Sequence, residues 1–151
     1  MATVPAVPCD PGPGPATLLL IRYRRLMRGA CKFLALYAIL CGAATWLGGD
    51  DRLEGPSYRN VMESAAAFDL GPAKLWGATL LVTGLLTLIP HRKAKVLGLF
   101  GIAAWSLLFA QGFLLSVGVE PYAGVSGIFA HTFIALTAMA LIIVRWVDRA
   151  L

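Results

Sequence analysis

Four long stretches without Asp, Glu, Lys or Arg divide the chain into apolar segments separated by charged ones. They are Phe33–Gly49, Leu75–Pro90, Val96–Val119 and Pro121–Val144. A helix that crosses a bilayer needs roughly 20 mostly apolar residues, with a range of about 17–25. The first two stretches are short, but basic side chains at their ends can extend them by reaching toward the interface. The pattern predicts four transmembrane helices, at about residues 31–49, 73–90, 96–119 and 121–146.

The charges between these segments alternate in sign from one predicted loop to the next. Residues 1–32 carry five Lys/Arg and one Asp, and the loop 91–95 carries three Lys/Arg and no acid. The loop 50–74 carries three Lys/Arg and five Asp/Glu, and Glu120 is the charge between the last two spans. Because Lys and Arg close to span ends are retained in the cytoplasm, both termini and the second loop are predicted to be cytoplasmic.

Composition agrees with a membrane location and with a single domain. Of the 151 residues, 58% are hydrophobic and 14% are charged, whereas soluble domains have about 25% charged residues. The cysteines Cys9, Cys31 and Cys41 form no C-x-x-C motif and are interpreted as small apolar side chains. The expected fold is all-α, a polytopic four-helix transmembrane bundle at residues 31–151.

Three further segments are predicted outside the hydrocarbon. Residues 1–16 are rich in Pro and Gly and are expected to be disordered. Residues 17–30 predict a basic helix with Leu19 and Tyr23 on its apolar face. This helix either rests on an anionic leaflet or is a plain positively charged stop before the first span, and both alternatives stay open. The outer loop 50–72 is expected to contain a short amphipathic helix.

Basic residues near the cytoplasmic span ends are candidates for contact with anionic lipid headgroups. They are Arg22, Arg24, Arg25, Arg28, Arg92, Lys93 and Lys95. For the group at 92–95, a topology signal is the simpler interpretation, since Lys and Arg at this position hold a loop in the cytoplasm.

Small residues recur at steps of three and four in every predicted span. The stripe in the third span is Gly101, Ala104, Leu108 and Gln111/Gly112. Membrane helices associate through such stripes because lipid provides no hydrophobic drive between them. We expect close helix packing at six glycines: Gly42, Gly77, Gly84, Gly101, Gly124 and Gly127.

Two polar residues in the spans are candidates for a site. The charge-free runs contain no carboxylate or Lys/Arg, which argues against proton-coupled pumps and cation exporters. Gln111 and His131 both lie roughly 12–15 Å from the outer end at ~1.5 Å per residue, so they are predicted to be able to meet as a polar intramembrane pair. The simpler interpretation is a neutral histidine that packs one helix on another.

Motifs for enzymatic chemistry are absent from the sequence. The two histidines, His91 and His131, belong to opposite ends of the predicted bundle and cannot share a metal. No P-loop, G-x-S-x-G or H-E-x-x-H pattern occurs. We therefore expect a non-enzymatic protein with no metal or cofactor and no nucleic-acid partner.

Three segments resemble small four-span membrane proteins of actinobacterial phages and prophages. They are G-P-S-Y-R at 55–59, G-P-A-K-L-W-G at 71–77 and G-L-F-G-I-A-A-W-S-L-L-F-A at 98–110. The resemblance covers about residues 55–117 and leaves His131 and the Pro-rich N-terminus outside its pattern. It implies a location in the bacterial cytoplasmic membrane and, by analogy with some members, a role in lysis.

Two functions follow as hypotheses. The first is a phage-type protein that assembles in the bacterial cytoplasmic membrane, as a homo-oligomer or with other membrane proteins, and permeabilises it as holins do. The alternative is a small transporter, a channel or an accessory subunit of a membrane complex that uses Gln111 and His131.

Overall fold

The computed structural model describes residues 14–49, 72–116 and 121–147. Within these ranges the chain forms four α-helices and no strand, which confirms the all-α prediction. The helices are α1 (Pro15–Gly48), α2 (Pro72–Leu88), α3 (Arg92–Ser116) and α4 (Pro121–Val147). Residues 15 and 16, predicted to be disordered, begin α1, while residues 1–13 and nearly all of the outer loop lie outside the described residues.

Three segments in the described ranges are long and apolar enough to cross a membrane. They are Pro15–Gly48, Arg92–Leu114 and Val125–Trp146. The apolar part of α2, Ala73–Leu88, is shorter. The 17 residues of α2 extend about 25 Å, slightly less than the ~30 Å of a typical hydrocarbon core.

Helix α1 joins the predicted basic helix and the first predicted span without a break. It begins at Pro15, a residue suited to the first helical turn because no N–H is needed there. It ends before Gly49, whose φ of 68° favours glycine. Its 34 residues extend about 50 Å, which exceeds the hydrocarbon thickness. The basic segment is thus helical, and its position on an anionic leaflet stays a prediction.

The first two helices pack antiparallel through their backbones. A Cβ atom built on Gly42 would lie 2.6 Å from the Leu81 N and 2.8 Å from the Gly77 O, and one on Gly77 would lie 2.7 Å from the Trp46 N. A Cβ on Gly84 would lie 2.9 Å from a backbone oxygen at the other end of the contact. Since the opposing atoms are backbone, a side chain at these positions must push the helices apart.

The remaining neighbours are antiparallel as well. Gly98 and Gly101 of α3 pack against Thr87 and Thr83 of α2. Gly127 near the start of α4 packs against a phenyl ring near the end of α3. A smaller contact between α1 and α4 completes an up-and-down bundle. Five of the six predicted glycines therefore lie at close helix contacts, while the surroundings of Gly124 are outside the described side chains.

The buried face of α3 differs from the predicted stripe. Leu108 and Gln111 are exposed, and Gly101 and Ala104 are only half-buried. The buried residues include five large ones, Leu99, Ile102, Trp105, Phe109 and Phe113, and five small ones, Gly98, Ala103, Ser106, Ala110 and Gly112. Small residues thus mark the side of α3 that meets α2, where Gly98 and Gly101 lie, while aromatic side chains fill the space between α3 and α4.

Substitution of Gly42 by Ala should destabilise the bundle by about 1–3 kcal/mol, the usual cost of overpacking. Thermal unfolding of the purified protein in detergent measures the effect. Gly29→Ala is the matched control, because a Cβ at Gly29 would meet nothing within 4 Å; it should leave stability unchanged or raise it. Equal effects of the two substitutions would contradict the close α1–α2 contact.

Candidate functional site

A cleft opens at the end of the bundle where α1 and α3 begin and α4 ends. Its volume is about 610 Å³, within the range of about 300–1,000 Å³ that is usual for ligand pockets. We call it the basic cleft, and it is lined by Tyr23, Arg24, Met27, Arg28, Cys31, Pro90, Arg92, Lys95, Leu141, Val144 and Arg145. Five of these eleven residues are Lys or Arg, so positive charge dominates its lining.

The acidic residues that would neutralise this charge are mostly elsewhere in the chain. Six of the eight Asp/Glu residues belong to the segments 50–71 and 117–120, which connect helix ends at the opposite end of the bundle. The other two, Asp10 and Asp148, precede α1 and follow α4 in the sequence. None of the cleft-lining residues is acidic, so a net positive potential is expected there.

Two arginines on one wall of the cleft are held by contacts between helices. Arg92 at the start of α3 donates from Nη2 to the carbonyl oxygen of Arg145 at 2.9 Å. This carbonyl lies in the last turn of α4, where backbone oxygens have no partner within the helix. The Nη2 of Arg145 in turn lies 3.8 Å from the Sγ of Cys31. These contacts link α3, α4 and α1 around the cleft.

Helix α1 supplies two further arginines of the lining. Arg24 and Arg28 lie one helical turn apart there, and the Nε of Arg28 donates to the carbonyl oxygen of Arg24 at 3.3 Å. The structure thus brings together four of the seven predicted basic residues. Arg22, Arg25 and Lys93 are exposed outside the cleft.

The fifth cation of the cleft, Arg145, is not among the basic residues predicted from the sequence. It lies far along the chain from the other four, so local patterns do not reveal that it joins them. Its place in the last turn of an antiparallel fourth helix is the signal that points to it, since that turn must return to the level of Arg92.

The predicted polar pair occupies different surroundings. His131 on α4 packs against three aromatic rings of α3, with ring centroids 5.5 Å from Trp105, 5.6 Å from Phe109 and 5.5 Å from Phe113. Trp105 and Phe109 stack on each other at 3.9 Å. These contacts make His131 part of an aromatic interface between the helices.

Gln111 does not join His131 in a hydrogen bond within the described part of the chain. The glutamine side chain is exposed, and the Nδ1 of His131 is buried without a hydrogen-bond partner. The reason is helical geometry: Gln111 follows Phe109 by two residues, about 200° around α3, so it lies on the far face. Equal depth along antiparallel helices was not sufficient for contact.

Three further buried polar atoms have no hydrogen-bond partner in the described structure. They are the Nε1 atoms of Trp76 and Trp105 and the Oγ of Ser106. By contrast, Thr83 and Thr87 satisfy their hydroxyls by donating to carbonyl oxygens of their own helix at 2.9 Å. The region around His131 therefore packs through rings and lacks a connected polar network.

No group of three His, Cys, Asp or Glu side chains suited to a metal ion occurs among the residues that the structure describes. No protein-family model, curated protein or solved structure matches the chain.

Replacement of Phe109 by Ala should lower the free energy of unfolding by about 3–5 kcal/mol, because the ring is buried between Trp76, Trp105 and His131. Gln111→Leu should change it by less than about 0.5 kcal/mol, as expected for a side chain on an exposed face. Chemical or thermal unfolding in detergent micelles provides both values. A large decrease in the free energy of unfolding for Gln111→Leu that is not additive with the effect of His131→Leu would show that the two side chains do interact as the predicted pair.

Proposed function

We propose that the chain is a non-enzymatic, multi-pass protein of the bacterial cytoplasmic membrane that acts by binding anionic lipid and assembling with membrane proteins, its own copies included. The observation that carries this proposal is a bundle with apolar outer faces and a basic cleft at one end. Four spans with both termini in the cytoplasm are part of the proposal.

The position of α2 between α1 and α3 supports a four-span arrangement. Although α2 is short, it packs on α1 from Trp46 to Ala35, and its other face meets Gly98 and Gly101 of α3. A helix enclosed in this way lies at the same level as its two longer neighbours. If α1 and α3 cross the bilayer, α2 crosses with them.

The outer faces of the bundle support burial in lipid. Large apolar side chains on α1 and α4 are exposed, among them Phe33, Leu40, Phe129, Phe133 and Ile143. In water, apolar patches of this extent are a liability for aggregation. Hydrocarbon surrounds such faces without cost, so the exposed residues fit a lipid-facing surface.

The distribution of charge supports the orientation. Nine of the ten Lys and Arg residues in the described ranges lie at the end that contains the basic cleft, and Lys74 lies at the other. By the positive-inside rule, the cleft faces the cytoplasm and the anionic headgroups of the inner leaflet.

A holin-like role in lysis extends this proposal and rests on the resemblance to phage-encoded membrane proteins. Self-association of copies through their exposed apolar faces would be its physical basis, and it requires no catalytic residue. The alternative of a transporter or accessory subunit that uses Gln111 and His131 receives less support, because these two side chains do not contact each other.

Reporter fusions test the topology. Alkaline phosphatase joined after Asp51 should be active, because this position is predicted to lie outside the cytoplasm. The same enzyme joined after Lys93 should be inactive, and a fluorescent protein there should fluoresce. Periplasmic activity at both positions would refute the four-span arrangement.

Induced expression in a bacterial host tests the lysis role. If the chain permeabilises membranes, the membrane potential should collapse abruptly and a co-expressed endolysin should reach the cell wall. A Gly42→Ala variant should delay the collapse if an intact bundle is needed, whereas Gly29→Ala should behave as the unmodified chain. Normal growth at high membrane levels of the protein would exclude holin-like action and leave the membrane assignment intact.

A further inference from the structure

We propose that the basic cleft is a specific binding site for a membrane lipid whose headgroup carries two phosphate groups. This inference deepens the proposed function, since it rests on the chain lying in the membrane with the cleft at the cytoplasmic surface. It differs from a general attraction to anionic lipid because it assigns the binding to particular residues.

The cations that line the cleft come from three helices. Arg24 and Arg28 lie on α1, while Arg92, Lys95 and Arg145 lie on α3 and α4. Two phosphates bound in the cleft would share these five cations. Arginine suits this role because its planar guanidinium binds phosphate through two parallel hydrogen bonds.

The contacts within the protein leave donors available for such a ligand. Arg92 and Arg145 each direct one Nη2 to an interhelical contact, while a guanidinium has five N–H groups. The interhelical contacts hold the two side chains in position, which reduces the entropy lost when a phosphate binds. The contacts therefore prepare the site without occupying it.

The unliganded arrangement is electrostatically unfavourable. Like charges one turn apart on a helix, such as Arg24 and Arg28, destabilise it, and three more cations line the same cavity. A single phosphodiester would neutralise one of five charges. Two phosphates reduce the repulsion further, and a cavity of about 610 Å³ has room for both.

The apolar part of the lining indicates a lipid as the source of the phosphates. Met27, Leu141 and Val144 line the same cavity as the cations. These residues lie on the sides of α1 and α4 that continue into the proposed spans. A lipid can place its phosphates among the arginines and its glycerol and first methylenes against these side chains, and basic pockets between spans are typical sites for such headgroups.

Titration of the purified full-length protein in neutral detergent tests the proposal, with native mass spectrometry to count bound lipid. The probes are cardiolipin, which has two phosphates, phosphatidylglycerol, which has one, and inorganic pyrophosphate. Cardiolipin should bind about tenfold or more tightly than phosphatidylglycerol, as expected when one charge-assisted phosphate contact is added. Pyrophosphate should bind weakly and should not displace the lipid.

Paired variants assign the binding to the cleft. Arg28→Gln with Arg145→Gln should weaken cardiolipin binding about tenfold or more. The matched control, Arg25→Gln with Lys93→Gln, removes the same charge outside the cleft and should change binding less than about twofold. Arg24→Gln with Lys95→Gln provides a second cleft variant that keeps the Arg145–Cys31 contact, so a folding defect in the first pair does not decide the outcome.

Three results would overturn the proposal. Equal losses in the cleft and control variants would indicate diffuse attraction. Equal affinity for cardiolipin and phosphatidylglycerol would refute the requirement for two phosphates. Pyrophosphate binding as tight as that of cardiolipin would identify a soluble diphosphate as the ligand. Because binding in detergent does not depend on orientation, these outcomes are distinct from a failure of the reporter fusions.

Discussion

The close backbone contact between α1 and α2 is the constraint on which the rest of the bundle depends. At Gly42 and Gly77 the helices approach so closely that neither position has room for a Cβ atom. In lipid, where apolar surface alone does not drive helices together, such contacts supply the van der Waals packing that does. They fix α2 against α1, and α2 then presents Thr83 and Thr87 to the glycines of α3.

The second half of the bundle is held in a different way. Between α3 and α4 the rings of Trp105, Phe109 and Phe113 fill the interface together with His131. Glycines allow α1, α2 and α3 to approach closely, whereas aromatic side chains lie between α3 and α4 and hold them further apart. At the end of the bundle that holds the basic cleft, α1 and α4 make a smaller contact than the other neighbours, which includes Arg145 and Cys31, and the cleft lies beside it.

Much of the fold could be predicted from the sequence because hydrocarbon imposes simple rules. Charge-free runs located the four helices, and glycine spacing identified the α1–α2 contact. Which face of a helix is buried was harder to predict. Gln111 is exposed because α3 turns the opposite face, with its large aromatic residues, toward α4. The inclusion of Arg145 in the cleft depends on how α4 returns beside α1, a long-range relation that local patterns do not contain. The unbroken course of α1 was also missed, since its change from basic to apolar residues suggested two elements.

If the bundle has four spans, α2 crosses the bilayer beside α1 and α3. Hydrogen–deuterium exchange of the protein in lipid nanodiscs measures this. The account predicts that the amides of Ala73–Leu88 exchange as slowly as those of α3 between Ile102 and Phe113, because both lie in hydrocarbon and are packed on two sides. Exchange of the α2 amides within seconds, while those of α3 stay protected, would contradict it.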